Sequence, residues 1–351
     1  MRSHRSRFAL LLLGALIVAG FTANHAQSNG IPTSGSAEIS DELPSMPESV
    51  TSFGAVTSEG FLYIYGGHKG KRHDYSAEMV SGSFHRLKLN GGGGWERLPS
   101  SAPGQGLPLV EHDGLLYRTG GMAAKNPANA KRQLYSTSNF ECFNPEQNRW
   151  EKMPSLPEPR SSHDAVVVGN KLYIVGGWNL SGEGGKTEWH STALVIDLTK
   201  PEKGWAEFPQ PFQRRALAVA ALGSKLFCIG GMDSDSESTL AVDVYDTGTG
   251  LWSKGPELPS GKHKGFSCSA ISQSGRIYAS AFKGDLLRLS QDHTSWETIG
   301  TLQNRRMSHR LVRAGATRLI ALGGEDGSEK RPELEIITLA EKPVAATPIA
   351  N

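Results

Sequence analysis

Lys171-Leu-Tyr-Ile-Val-Gly-Gly177 decides the fold. The run is short, rich in β-branched and aromatic residues, and stopped by paired glycines, which reads as a buried strand ending at a turn. The chain repeats it as Phe61-Leu-Tyr-Ile-Tyr-Gly-Gly67, Leu115-Leu-Tyr-Arg-Thr-Gly-Gly121, Lys225-Leu-Phe-Cys-Ile-Gly-Gly231 and Arg318-Leu-Ile-Ala-Leu-Gly-Gly324. Successive doublets lie 54, 56, 54 and 93 residues apart, the last being close to two shorter intervals. A degenerate copy fills that gap: Arg276-Ile-Tyr-Ala-Ser-Ala-Phe282 aligns with the quoted stretch, its glycines lost.

A tryptophan follows each of the first five copies, at Trp95, Trp150, Trp205, Trp252 and Trp296. Before each Trp lies a second alternating strand, such as Ala241-Val-Asp-Val-Tyr245, and after it a Leu/Met-Pro stretch, as in Trp150-Glu-Lys-Met-Pro-Ser-Leu-Pro-Glu-Pro-Arg160. Four short strands cannot bury both faces alone, so neighbouring copies must stack. Glycine allows close backbone approach, and the Trp is large enough to fill the wedge between copies. Together the doublet, the preceding Tyr, the spaced Trp and the Pro-Arg segment resemble kelch repeats over about residues 42–340. The resemblance implies an all-β fold, a kelch β-propeller with one four-stranded blade per copy.

The ends give the blade count. The sixth copy has no Trp strand after it, while Leu43-Pro-Ser-Met-Pro-Glu-Ser-Val50 matches Met153-Pro-Ser-Leu-Pro-Glu-Pro-Arg160. A six-bladed propeller is therefore expected, closed by an N-terminal strand that completes the last blade and removes exposed sheet edges.

Composition agrees. Glycine is 41 of 351 residues, and its placement at regular turns argues against low complexity. Three cysteines exclude a disulfide scaffold. The 37 Lys+Arg against 35 Asp+Glu give a net +2, which argues against a nucleic-acid partner. Residues 1–28 read as a signal peptide: Arg2, Arg5 and Arg7, uncharged Phe8 to Phe21, then small residues, with cleavage after Ser28 or Ala26. Fourteen residues rise about 21 Å as a helix, short of the ~30 Å hydrocarbon core. No stable membrane insertion is expected after cleavage, and the protein should be exported, periplasmic or extracellular. Removing these residues takes away three Arg and no acid, which leaves a net charge of −1. Residues 29–40 read as a linker, 41–342 as the propeller and 343–351 as a tail.

In such a ring the loops after the doublets and the loops joining blades share one face. The joining loops carry cations: Arg160-Ser-Ser-His163, Arg214-Arg215, Lys262-His-Lys264 and Arg306-Met-Ser-His309. Either they converge on the rim and clamp a carboxylate, or the arginines close the motif by bonding loop carbonyls. In some kelch propellers Arg at this repeat position helps bind acidic peptide. His163 and His309 read as packed or loop-bonding. Loops after the first three doublets are long and carry Tyr75, Tyr135, Trp178, Glu188 and Trp189, and such loops tend to be functional. Their aromatic rings serve either as platforms for sugar or as packing for their own loops. Met232-Asp-Ser-Asp-Ser-Glu237 lacks the spacing of an EF-hand and reads as an acidic turn. Cys142, Cys228 and Cys268 fall in strands and read as buried thiols. No metal or cofactor is expected.

The expected function is an exported recognition module binding an acidic or carbohydrate ligand, peptide or protein at the channel rim. The alternative is a sugar-processing isomerase, since size and compartment resemble the bacterial sialate mutarotase/epimerase group. That chemistry needs one acid–base group, with Glu183, Glu188 or His163 as candidates, and a cation for the substrate carboxylate.

Overall fold

Each short run pairs with its chain neighbours in the computed structural model, which describes residues 40–260, 265–281 and 284–339. Antiparallel sheets follow one another along the chain. Blade one comprises Gly54–Ser58, Phe61–His68, Val80–Lys88 and Glu96–Leu98, and blade three Asp164–Val168, Lys171–Val175, Thr192–Asp197 and Ala206–Pro209. Blades two, four and five repeat this order with four strands each, and the described residues of blade six supply Arg310–Ala314, Arg318–Leu322 and Leu334–Thr338. The fold is an all-β, six-bladed propeller, with no α-helix among the described residues.

The core lies between blades. One cluster joins Tyr63, Tyr65, Phe84 and Leu98 of blade one to Leu107, Leu109, Leu116 and Phe143 of blade two. Another joins Val312, Ile320 and Leu322 of blade six to Leu62, Ile64 and Leu87 of blade one. The repeating tryptophans fasten these wedges. Trp150, Trp205, Trp252 and Trp296 each donate Nε1–H to a proline carbonyl of the preceding blade: Pro99, Pro154, Pro209 and Pro256, at 2.8 to 2.9 Å. The doublet glycines are required where the backbone comes closest. Gly120 has φ 55° and a Cβ there would stand 2.1 Å from the Arg160 carbonyl, while Gly177 has φ 91° and a Cβ would meet the Ser161 carbonyl at 2.8 Å.

The N-terminal segment closes the ring. Trp95 donates to Pro44 at 3.2 Å, in the same register as the other four tryptophans. Met46 N donates to Pro332 O at 2.8 Å, as Leu156 N does to Ser138 O inside the ring. Asp41 pairs with Arg318 at 2.8 Å. The segment differs from a regular outer strand in having no ladder pairing over residues 40–50. The signal peptide, nearly all of the linker and the tail lie outside the described residues.

Around the axis the six blades are joined by a closed circuit of backbone bonds. Gly106 N donates to Ser52 O, Ser162 N to Gly106 O, Ala216 N to Ser162 O, Ser267 N to Ala216 O, Ser308 N to Ser267 O, and Ser52 N to Ser308 O, at 2.6 to 3.1 Å. All six residues have φ between 51° and 62°. On one side of this circuit the inner strands enclose a cavity of about 560 Å³, lined by one strand from each blade. Arg310 spans its inner end, pairing with Asp164 at 3.0 Å and donating to the carbonyls of Phe53 and Leu107. On the other side lie the loops.

Candidate functional site

The motif arginines point into the blades. Arg160 donates Nη1–H to the carbonyls of Gly176 and Thr192, Arg214 to Gly230 and Ala241, and Arg306 to Gly323 and Glu333, at 2.8 to 3.1 Å. Their exposures are 1%, 4% and 0%. Arg214 also pairs with Asp243 at 2.5 Å. This corrects the expectation of a clamp built from these three: each is buried and spends its Nη1 on the doublet carbonyl and the neighbouring strand, so none stands on the rim. Arg is needed because two carbonyls diverge there, and its planar head reaches both. The matching positions are Val50, Gly104 and Gly265. Lys262 and Lys264 lie outside the described residues.

His163 and His309 are buried with them. His163 Nε2 bonds Thr119 Oγ1 at 2.9 Å, and His309 Nε2 bonds Ser280 Oγ at 2.5 Å. Burial, reinforced by the adjacent guanidiniums, holds His163 well below the usual imidazole range and His309 at about 3. Both imidazoles are buried with the motif arginines rather than open to the loop face, which takes His163 out of the acid–base candidates.

The residue after each motif position faces the loops instead: Thr51, Gln105, Ser161, Arg215, Phe266 and Met307. Five of them bridge to the residue after a doublet, as Thr51–His68, Gln105–Met122, Ser161–Trp178, Arg215–Met232 and Met307–Glu325. They form a floor beneath the long loops. Arg215 stands on it with its Cζ 4.1 Å above the Trp178 ring and 5.8 Å from the rings of Trp189 and Phe266. Trp178 and Trp189 face each other across a pair of two-residue strands, rings 5.4 Å apart. They pack on each other within their own loop and carry a cation on their faces. Arg215 has no carboxylate partner among the described residues, its Nη2 meets only Met232 Sδ at 3.1 Å, and its Nε is unpartnered. Burial lowers its pKa, opposed by Tyr75.

Tyr75 lies on the same floor, 4.9 Å from His68, with Arg132 Cζ 5.4 Å above its ring. Burial raises its phenol pKa, while Arg132, Arg215 and Arg72 pull it down. The long loops are tied to one another around it. Arg72 pairs with Glu325 of blade six at 2.6 Å, Asn126 Nδ2 donates to Tyr75 O at 2.7 Å, and Arg132 donates to His73 O at 2.5 Å. Lys131 pairs with Glu183, which engages one of the proposed acid–base groups. Glu188 is exposed on the outer arm of the Trp178–Trp189 hairpin.

Thus the structure brings together Arg215, Trp178, Trp189 and Tyr75, and removes Arg160, Arg214, Arg306, His163 and His309 to the scaffold. Sequence reasoning missed Phe266, Gln105, His68 and Glu325. The signal was present: all four occupy the two positions that follow the motif Arg or the doublet. The acidic turn after Met232 folds on itself, Asp233 Oδ1 accepting from Asp235 N and Glu237 N. The three cysteines are free and buried, with burial pushing Cys142 up to about 11 and Cys268 up to about 12.

Known proteins show the same repeat. The kelch motif matches residues 105–157, 159–200 and 213–259. Beta-scruin of Limulus polyphemus is 31% identical over 61% of this chain and 22% of its own length. Kelch-like protein terF of Aspergillus terreus is 27% identical over 63% of this chain and 48% of its own. The matches thus span less than half of these relatives. Among solved structures, that of YjhT superimposes with a TM-score of 0.68 at 19% identity, covering 86% of this chain and 98% of the other, which is a likeness of fold alone.

Proposed function

We infer the function from the fact that this chain belongs to the kelch-repeat β-propellers: it is a recognition module that binds an anionic ligand, acidic sugar or acidic protein segment, on the loop-side floor. One observation carries this. Arg215 is a largely desolvated cation without a carboxylate partner among the described residues. Such a charge costs on the order of several kcal/mol unless a counter-ion meets it. A carboxylate reaching the floor supplies that counter-ion, and Tyr75 and Arg132 stand ready beside it.

The test is NMR titration of the protein with D-glucuronate and with a hexaglutamate peptide. Arg215→Ala should weaken binding about 10- to 100-fold, as loss of one charge-assisted contact of ~1.5–3 kcal/mol implies. Equal affinity in the variant would sink the reading. A second reading, a sugar isomerase, draws support from Tyr75 and His68, two titratable side chains whose ring centroids lie 4.9 Å apart. Faster exchange between the glucuronate anomers in the same spectra would favour it. The Arg-rich and then apolar N-terminal stretch supports action outside the cytoplasm. Cytoplasmic protein still carrying residues 1–28 would overturn that part.

A further inference from the structure

The cavity on the far side of the backbone circuit has a chemistry of its own. Residues of the innermost strand of every blade line it: Gly54–Ser58, Leu109–His112, Asp164–Val168, Ala218–Leu222, Ser269–Gln273 and Arg310–Ala314. Each is the end strand of its sheet and pairs on one side only. Blade three gives consecutive residues to the wall, Val166, Val167, Val168 and Gly169, where a strand showing its face would give every second one. The wall is therefore built of strand edges, and an edge carries N–H and C=O groups that its ladder does not use. Bonds that leave the ladders mark the groups turned to the axis. The carbonyls of Phe53 and Leu107 accept from Arg310, Val219 N donates to Asp164 Oδ2 at 2.9 Å and Leu311 N to Ser269 Oγ at 2.8 Å. Ala221 O accepts from Ser272 Oγ, and Ser272 O from Arg313 Nε at 2.8 Å. All six groups stand one, three or five positions after a residue of the circuit. The same register turns Ala165 and Val167 of blade three to the axis, and neither makes a backbone bond outside its ladder among the described residues.

We propose that this cavity takes a short uncharged peptide, which adds a strand to the open edge of Asp164–Val168. Ala165 and Val167 lie about 6.8 Å apart along the strand, which is the repeat of an extended peptide, so two rungs can form. Main-chain exchange of this kind gives affinity with little demand on side chains. The cavity of about 560 Å³ falls in the size range of small-ligand sites. Charge selects the ligand further. At the inner end Arg310 already has its counter-ion in Asp164, and the blade-three wall from Ala165 to Gly169 bears no charge. A free ammonium or carboxylate would leave water there without a partner, so blocked or cyclic ends are preferred. The site lies across the circuit from Arg215 and does not depend on the anion reading.

The experiment is an amide-resolved NMR titration of the protein with three probes: acetyl-trialanine amide, the same peptide methylated at every backbone nitrogen, and free trialanine. The capped peptide should move the amide signals of Ala165 and Val167 and leave those of Trp178 and Arg215 in place. Methylation removes the donors of both rungs and should weaken binding about 10-fold. Free trialanine, with its two charged ends, should also bind about 10-fold more weakly than the capped form. Equal affinity of the methylated peptide would mean that no backbone pairing occurs, and the proposal falls. It falls equally if free trialanine binds as well as the capped peptide, if the shifts gather on the loop face, or if the capped peptide does not bind. None of these outcomes bears on Arg215, which the glucuronate titration tests separately.

Discussion

Arg214 and Arg215 are adjacent in the chain and opposite in role. Arg214 turns inward, ties two carbonyls of its own blade and pairs with Asp243. Arg215 turns toward the loops, lies on Trp178 and finds no carboxylate among the described residues. A strand alternates its faces, so one residue step separates a cation that the fold consumes from one that the fold leaves available. The two layers, buried motif ring and loop-side floor, should therefore respond to mutation in opposite ways.

The largest effect is expected in the motif ring. Arg214→Ala leaves two carbonyls without their donor and Asp243 with Lys254 as its remaining ion-pair partner, and removal of one partner of a buried pair costs about 3–5 kcal/mol. Chemical denaturation should show that loss, and a change below 1 kcal/mol would erase the distinction between the layers. The next is pH dependence. Folded His163 and His309 have lowered pKa values, so the folded state binds fewer protons than the unfolded one as pH falls. Stability is complete above the unfolded value of about 6.5 and is lost progressively as pH falls toward about 3. Each histidine should cost ~2 kcal/mol between pH 6.5 and 5. Urea midpoints at pH 7 and 5 check this, and His309→Gln should flatten the profile. The smallest effect belongs to the floor. Arg215→Met removes a desolvated charge and should shift stability by less than ~1 kcal/mol, or raise it, because no buried partner is left behind. A thermal melt falling as far as that of Arg214→Ala would merge the two layers into one.

Much of this fold is written locally. The doublets, the Trp register and the likeness of residues 43–50 to 153–160 are patterns of one-dimensional spacing, and stacking leaves them little alternative. The site is legible only in part. Trp178, Trp189, Tyr75 and Arg215 stand out because they break the repeat. Glu325 and Phe266 do not, since their meaning comes from contacts with Arg72 and Arg215, which lie in neighbouring blades and are remote in the chain. The motif arginines misled for the converse reason: their spacing is regular, and regular spacing marks what every blade needs in order to stand.

The circuit of six backbone bonds around the axis has a consequence for how force runs through the molecule. The chain is covalently open between blade six and blade one, yet the Ser52–Ser308 link measures 3.0 Å and lies within the range of the other five. At this level the ring has no beginning. A pull on any loop is passed in both directions and shared by all six links, much as a hoop carries load. The six peptide dipoles follow one another around the hoop and sum to almost nothing along the axis. The charge that a ligand feels is thus set by the side chains standing on the hoop, and those can change without loosening it.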